Sequence, residues 1–263
     1  MSRKQTVKEL ASEYEMCEST VKRRLRNIAK EWVQPPLYGG GFVHMDATYW
    51  GRNSGILLAV DSATGFPLYL SFIRHEKTSD YVAAVESIES RGYEIRGIVM
   101  DGLKHVFQEL ASYNIQMCQF HLRQIVSRYV TLHPKLLAAR ELNELMARLT
   151  KMSGEDFRQA FEDWKAKWDD TLKKRSRLKN GKTPYRHRRL RSAMNSIAFY
   201  MPYLFTFEKK ECQGMPNTNN KIEGVFTDLK RNLNNHSGMN EENRKRFISG
   251  FFLALEEALR MKK

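Results

Sequence analysis

Three carboxylates stand out by position. Asp46 lies inside residues 42–51, FVHMDATYWG, after an apolar run and before Thr48, Tyr49 and Trp50. Asp101 closes the apolar run IVMD at residues 98–101, and Glu223 lies far along the chain in residues 216–224, PNTNNKIEG. An acid in mid-strand must neutralise, pair with a cation or bind a metal, because an isolated ionised carboxylate is costly to desolvate. Metal binding fits best, with the three separated acids forming one site. Asp61 also ends an apolar run, LLAVD, but the following SATG gives it a turn role.

The elements that must position these acids follow from hydrophobic periodicity. Residues 42–50, 55–61 and 66–73 read as three sequential antiparallel strands, with turns at 51–55 and 62–67. Residues 79–90 have helical spacing at Val82, Val85 and Ile88, and Arg91-Gly92 closes that helix before a strand ending at Asp101. A helix over 104–113 and a strand-like run over 115–122, IQMCQFHL, follow. The order predicts a ribonuclease H-like α/β core: a mixed five-stranded sheet with helices, placing the Asp46 and Asp101 strand ends side by side. Asn219 or Asn220 is expected to cap a helix whose apolar stripe is Ile222, Phe226, Leu229 and Leu233, with Glu223 beside it. Gly224 is expected where that helix approaches a sheet or ligand closely. Residues 248–259 form a last amphipathic helix.

Outside this core the domains are expected as follows. Residues 1–33 form a helix-turn-helix, with Thr6 and Glu9 as a capping box and Ser19 capping a second helix. In that helix Val21, Leu25 and Ile28 are buried and Lys22, Arg23, Arg24 and Arg26 exposed; a plain helical hairpin with a solvated face is the alternative. Residues 34–41, QPPLYGGG, form a linker, and 42–122 the first part of the core. Residues 123–212 form an all-α insertion, and 213–263 return to core helices carrying the third acid. Within the insertion, residues 173–191 are dense in Lys and Arg without an acid, and Asn180-Gly181 with Pro184 prevents one continuous helix, so a basic loop is expected. Trp164 and Trp168 read as core neighbours in a helix rather than base-stacking groups.

The 263 residues carry 44 Lys and Arg against 30 Asp and Glu, a net +14, which favours a polyanionic partner with nucleic acid first. An anionic membrane surface and simple solubilisation are the alternatives. Three cysteines do not make a disulfide framework, and no apolar run approaches membrane-spanning length, so a soluble intracellular protein is expected.

HMDATYWG, the strand-end MDG, the Cys118-Gln119-Phe120-His121 sequence and PNTNNKIEG resemble, in this order, the DDE transposases of bacterial insertion sequences, Mutator-like supergroup. The resemblance covers about residues 42–255. It implies a catalytic and metal-binding triad of Asp46, Asp101 and Glu223, a CxxH signature at Cys118 and His121, and cleavage and strand transfer at element ends with two Mg²⁺ or Mn²⁺ ions. Asp46 would bridge the ions, with Asp101 and Glu223 each completing one shell. Double-stranded DNA, as element end and target, is the implied partner, met by Lys22, Arg23, Arg24, Arg26, Lys173, Lys174, Arg175, Arg177, Arg186, Arg188 and Arg189. The reaction implies a homodimer or larger synaptic oligomer in the bacterial cytoplasm. A transposase-derived transcription regulator and a metal-dependent DNA nuclease of the same fold are the alternatives. Cys118 and His121 admit three readings: a zinc half-site lacking its second pair, a strand-end pair bracing the triad or touching DNA phosphate, and an ordinary core Cys with a satisfied His. The chain departs from many relatives in having no cysteine-rich segment ahead of the helix pair.

Overall fold

The computed structural model describes residues 5–28, 32–236 and 238–261, with the side chains of 26–28 outside that description. Contacts divide the chain into two compact units, Pro36–Val225 and Met1–Pro35 with Phe226–Lys263.

The larger unit is built on a mixed sheet of order β3-β2-β1-β4-β5. Its strands are β1 (Gly40–Gly51), β2 (Ser54–Asp61), β3 (Pro67–Ile73), β4 (Glu94–Met100) and β5 (Ile115–Met117). β1 to β3 form an antiparallel meander, while β4 joins β1 in parallel through the crossover helix α3 (Thr78–Ser90). β5 follows α4 (Lys104–Glu109) and extends β4 in parallel. This is the ribonuclease H-like arrangement. The central strands are buried on both faces, so β1 and β2 read as near-continuous apolar runs. On β1, Val43 and Met45 join the main core with Ile98 and Met100, whereas Phe42 packs with Val99, Cys212 and Met215 in a smaller cluster. Side chains alternate along a strand, so Asp46 shares its face with Phe42 and His44, away from the main core.

Three boundaries differ from expectation. β1 begins at Gly40, so the glycines read as linker enter the sheet; a Cβ on Gly40 would meet Glu94 O at 2.6 Å. β5 stops at Met117, and residues 119–122, read as strand, open helix α5 (Gln119–Val130). The fourth-strand helix is also short, ending at Glu109.

The insertion is all-α: α6 (Leu137–Arg148), α7 (Gly154–Lys167), α8 (Asp169–Lys173) and α9 (Arg188–Tyr200). Trp164 is buried against Phe161 and donates Nε1–H to Ala138 O at 2.9 Å, a core role. Trp168 donates to Glu141 Oε2 at 2.8 Å. The basic segment is an extended arm more than a loop. Arg186 N–H donates to Lys174 O, Ser176 N–H to Pro184 O and Leu178 N–H to Lys182 O, with Gly181 at φ +78° in the turn. Tyr185 is sandwiched between the guanidinium groups of Arg175 and Arg191, 4.1 and 3.7 Å from its centroid.

In the smaller unit, α1 (Val7–Glu13) has the expected capping box: Glu9 N–H donates to Thr6 Oγ1 and Thr6 N–H to Glu9 Oε2. α2 (Glu18–Ile28) starts at Glu18, one residue before the expected cap, and the pair resembles a helix-turn-helix. Val21 is buried, but Leu25 is 44% exposed, so the stripe is narrower than its spacing suggested. Ile28 and Arg26 have side chains outside the described set; Lys22, Arg23 and Arg24 are exposed. Helix α10 (Asn220–Asn234) begins in the larger unit and ends in the smaller, its stripe Ile222, Phe226, Leu229 and Leu233 fully within the buried set. In α11 (Glu241–Arg260), Glu256 accepts from Trp32 Nε1–H at 3.1 Å.

Candidate metal centre

Parallel pairing carries the first two acids together. Met45 of β1 pairs with Met100 of β4, so the next residue of each chain is an acid. Asp46 is 8% exposed, and its Oδ1 accepts the Ala47 N–H at 2.7 Å. Burial, then the charge of Asp101, hold its carboxyl well above the usual range. A buried acid facing another acid lacks a compensating cation, the environment a metal ion would satisfy.

A further acid feeds the same field. Glu76, between β3 and α3, adds negative charge at Asp46, and its own pKa is raised by burial with Asp101 contributing. Tyr81 Oη–H donates to Glu76 Oε1. Sequence reading passed over Glu76 because it stands in the polar connection HEKTSD, where no periodicity marks it.

His121 sits in the first turn of α5 and links the remaining acids. Its Nε2 lies 3.8 Å from Asp101 Oδ2 and 3.7 Å from Glu223 Oε1, while its Nδ1 is buried with no hydrogen-bond partner among the described residues. Cys118, His121 and Glu223 each bring a ligand atom to within 4.8 Å of the others, a spacing that can hold a metal ion. On the zinc half-site reading, the third donor comes from a carboxylate and not from a second cysteine pair. Cys118 is a protonated thiol as it stands: burial pushes it up to about 11, and its Sγ accepts the Asn219 N–H at 3.3 Å. A metal would have to displace that proton, whereas the oxygens of Asp46, Asp101 and Glu223 are ready ligands for a hard cation such as Mg²⁺ or Mn²⁺.

The scaffold explains why the sequence-distant motifs converge. Asn219 does more than precede α10. Its Oδ1 accepts from His44 Nδ1 at 2.7 Å, its Nδ2 donates to Met45 O at 3.3 Å, and its carbonyl accepts Glu223 N–H at 3.2 Å. One asparagine therefore ties the backbone before Asp46 to the turn that presents Glu223. Burial lowers the His44 pKa, and the Asn219 acceptor takes the hydrogen bond of its Nδ1–H. Next to it, Gln119 N–H donates to Asn217 O and Asn217 Nδ2 to Gln119 Oε1, clamping the CQFH segment onto PNTNN. Neither His44 nor the Asn219 bridge was visible in local pattern.

Two glycines have opposite roles. At Gly102 a Cβ would stand 2.8 Å from Tyr200 Oη, which donates to Gly102 O at 2.6 Å. At Gly224 an added Cβ would meet nothing within 4 Å, so the expected close approach to protein is absent. Asp61 has the turn role read for it: Oδ1 accepts from Thr64 N–H and Thr64 Oγ1–H, and Oδ2 from Tyr93 Oη–H.

No protein-family model and no curated protein matches this chain. Its sheet has the ribonuclease H-like arrangement, and Cys118, His121 and Glu223 form a buried-to-half-buried cluster suited to a metal ion. Such a cluster is compatible with metal-dependent nuclease chemistry. The cations Lys173, Lys174, Arg175, Arg177 and Arg186 are exposed along the arm, with Arg188 and Arg189 exposed at the start of α9. No described helix is long and apolar enough to cross a membrane.

Proposed function

We propose that this chain is a metal-dependent nuclease acting on phosphodiester bonds of DNA. The observation that carries this reading is the meeting of Asp101, His121 and Glu223 within 3.8 Å contacts beside a buried Asp46 whose carboxyl pKa is raised by burial and by the charge of Asp101. Asp46, Asp101 and Glu223 would hold Mg²⁺ or Mn²⁺, and such ions, when two are bound about 3.5–4 Å apart, activate an attacking oxygen and stabilise the leaving one. Around that chemistry the protein's own groups fix positions. Asn219 holds the backbone at Met45, Tyr200 holds the Gly102 carbonyl beside Asp101, and His121 stands between Asp101 and Glu223, its Nε2 3.8 and 3.7 Å from their oxygens, where it would face a bound phosphate. The exposed cations of the arm and of α2 would meet phosphate, giving binding that weakens steeply with salt.

A second reading is favoured by the order of the HMDATYWG, MDG, CQFH and PNTNNKIEG motifs: DDE strand transfer at insertion-sequence ends, in which a DNA 3′-hydroxyl replaces water as nucleophile. It would require synapsis by a dimer or larger oligomer, with residues 1–33 recognising DNA, residues 42–122 and 213–263 forming the catalytic core, and residues 123–212 its helical insertion. Incubating the full chain with labelled DNA and Mn²⁺ separates the readings on a sequencing gel. Cleavage is expected, falling more than about hundredfold in Glu223→Gln, beyond the roughly 10–100-fold loss typical of an outer-shell partner. Joined products would add strand transfer; equal cleavage by the variant would remove the site assignment.

A further inference from the structure

An open cleft of about 460 Å³ lies between the α5–α6 connection and the start of α9. Tyr129 and Leu136 give it apolar wall, while Lys135, Arg186, Arg188 and Arg189 bring cations to it. His187 lines it too, its pKa lowered by burial and then by Arg186 and Lys174. Positive groups crowded around an apolar cavity match an amphipathic anion, and the volume falls in the range of small-molecule sites, about 300–1,000 Å³. A nucleotide has that size and that division into flat ring and phosphate.

The position of the cleft decides between a free nucleotide and part of a strand. Helices α5 and α9 pack against one another, α5 running from the acids toward the cleft and α9 from the cleft back toward the acids. α5 carries His121 in its first turn beside Asp101 and Glu223, and Arg128 in its last turn, whose carbonyl accepts from Arg189 Nη2. α9 starts at Arg188 and ends with Tyr200 bonded to Gly102. At 1.5 Å per residue the thirteen residues of α9 separate the two places by about 20 Å. That is about six base-pair steps of duplex at 3.4 Å each, so one nucleic-acid molecule can occupy both.

Resting on the nuclease reading, we infer that this cleft holds an unpaired nucleotide of the nucleic acid being cut, about 20 Å from the acids, with Tyr129 against the base and Arg186 and Arg188 on its phosphates. The assignment predicts a preference for DNA whose duplex ends in a single-stranded tail. Fluorescence anisotropy of the full chain in EDTA would compare a tailed duplex with a blunt duplex of the same sequence. Wild type is expected to bind the tailed duplex more tightly, and Tyr129→Ala to lose about tenfold on the tailed duplex with little change on the blunt one. Arg188→Ala is expected to weaken tail binding and reduce its salt dependence. Equal affinity of wild type for the two duplexes, or a Tyr129→Ala loss equal on both, would overturn the assignment. Because EDTA removes any metal chemistry, tail preference without Mn²⁺-dependent cleavage would sink the nuclease reading alone, whereas cleavage without tail preference would sink the cleft alone.

Discussion

At Asp46 the residue's chemistry and the fold's stability pull in opposite directions. Its pKa is raised in the folded chain, so its favourable contribution is present below the unfolded carboxylate value and is lost as pH rises through the folded one. Above the unfolded carboxylate value the buried carboxyl of Asp46 therefore costs the fold stability. Asp46→Asn is expected to raise the melting temperature by a few degrees in EDTA while abolishing cleavage, as thermal unfolding and the gel assay would show; a lower melting temperature would contradict the electrostatic account. Asp46, Asp101 and Glu223 were legible in the sequence because an acid after an apolar strand, or beside a helix stripe, has few cheap explanations. Glu76, His44 and the Asn219 bridge were not. Their partners lie far along the chain, as with the 175-residue separation of His44 and Asn219, and no local periodicity encodes such contacts.

Among the elements, the three-stranded meander and the crossover to β4 were readable from alternation, turn residues and helix spacing, and the structure has them in that order. The run IQMCQFHL differs from the strand its composition suggests because a short apolar segment fits a buried strand and a buried helix equally well. The strand ends at Met117, and the helix that follows is what turns His121 toward the acids. Two glycines test how tightly the elements hold the site. Gly102→Ala is expected to cost about 1–3 kcal/mol through the clash with Tyr200, and to reduce cleavage with it. Gly224→Ala, with open space around it and better helix propensity, is expected to stabilise by about 1 kcal/mol; chemical denaturation of both variants would check the contrast. The β2–β3 turn offers a pH test. Burial raises the pKa of Asp61, but hydrogen bonds from Thr64 and Tyr93 outweigh it, leaving the value depressed. The stability Asp61 contributes is thus present above the unfolded carboxylate pKa and lost as pH falls through the folded one. Asp61→Asn should accordingly lower the denaturation midpoint at neutral pH and narrow its gap from wild type in acid; a gap constant with pH would contradict that.

On the scale of the whole molecule, acidic and basic features lie at opposite ends of the α5–α9 pair, the acids beside Gly102 and the cations around Arg188. The net charge of +14 favours a polyanionic partner on sequence grounds alone, but where the cations gather depends on how the arm and α9 fold. The central claim is that the converged carboxylates bind a divalent ion. Titrating the full chain with Mn²⁺ and following free Mn²⁺ by electron paramagnetic resonance tests it without relying on any activity. Wild type is expected to remove Mn²⁺ from solution, with affinity reduced at least about tenfold in Asp46→Asn and in Glu223→Gln. Mn²⁺ left free by wild type, or bound as tightly by both variants, would contradict the metal centre.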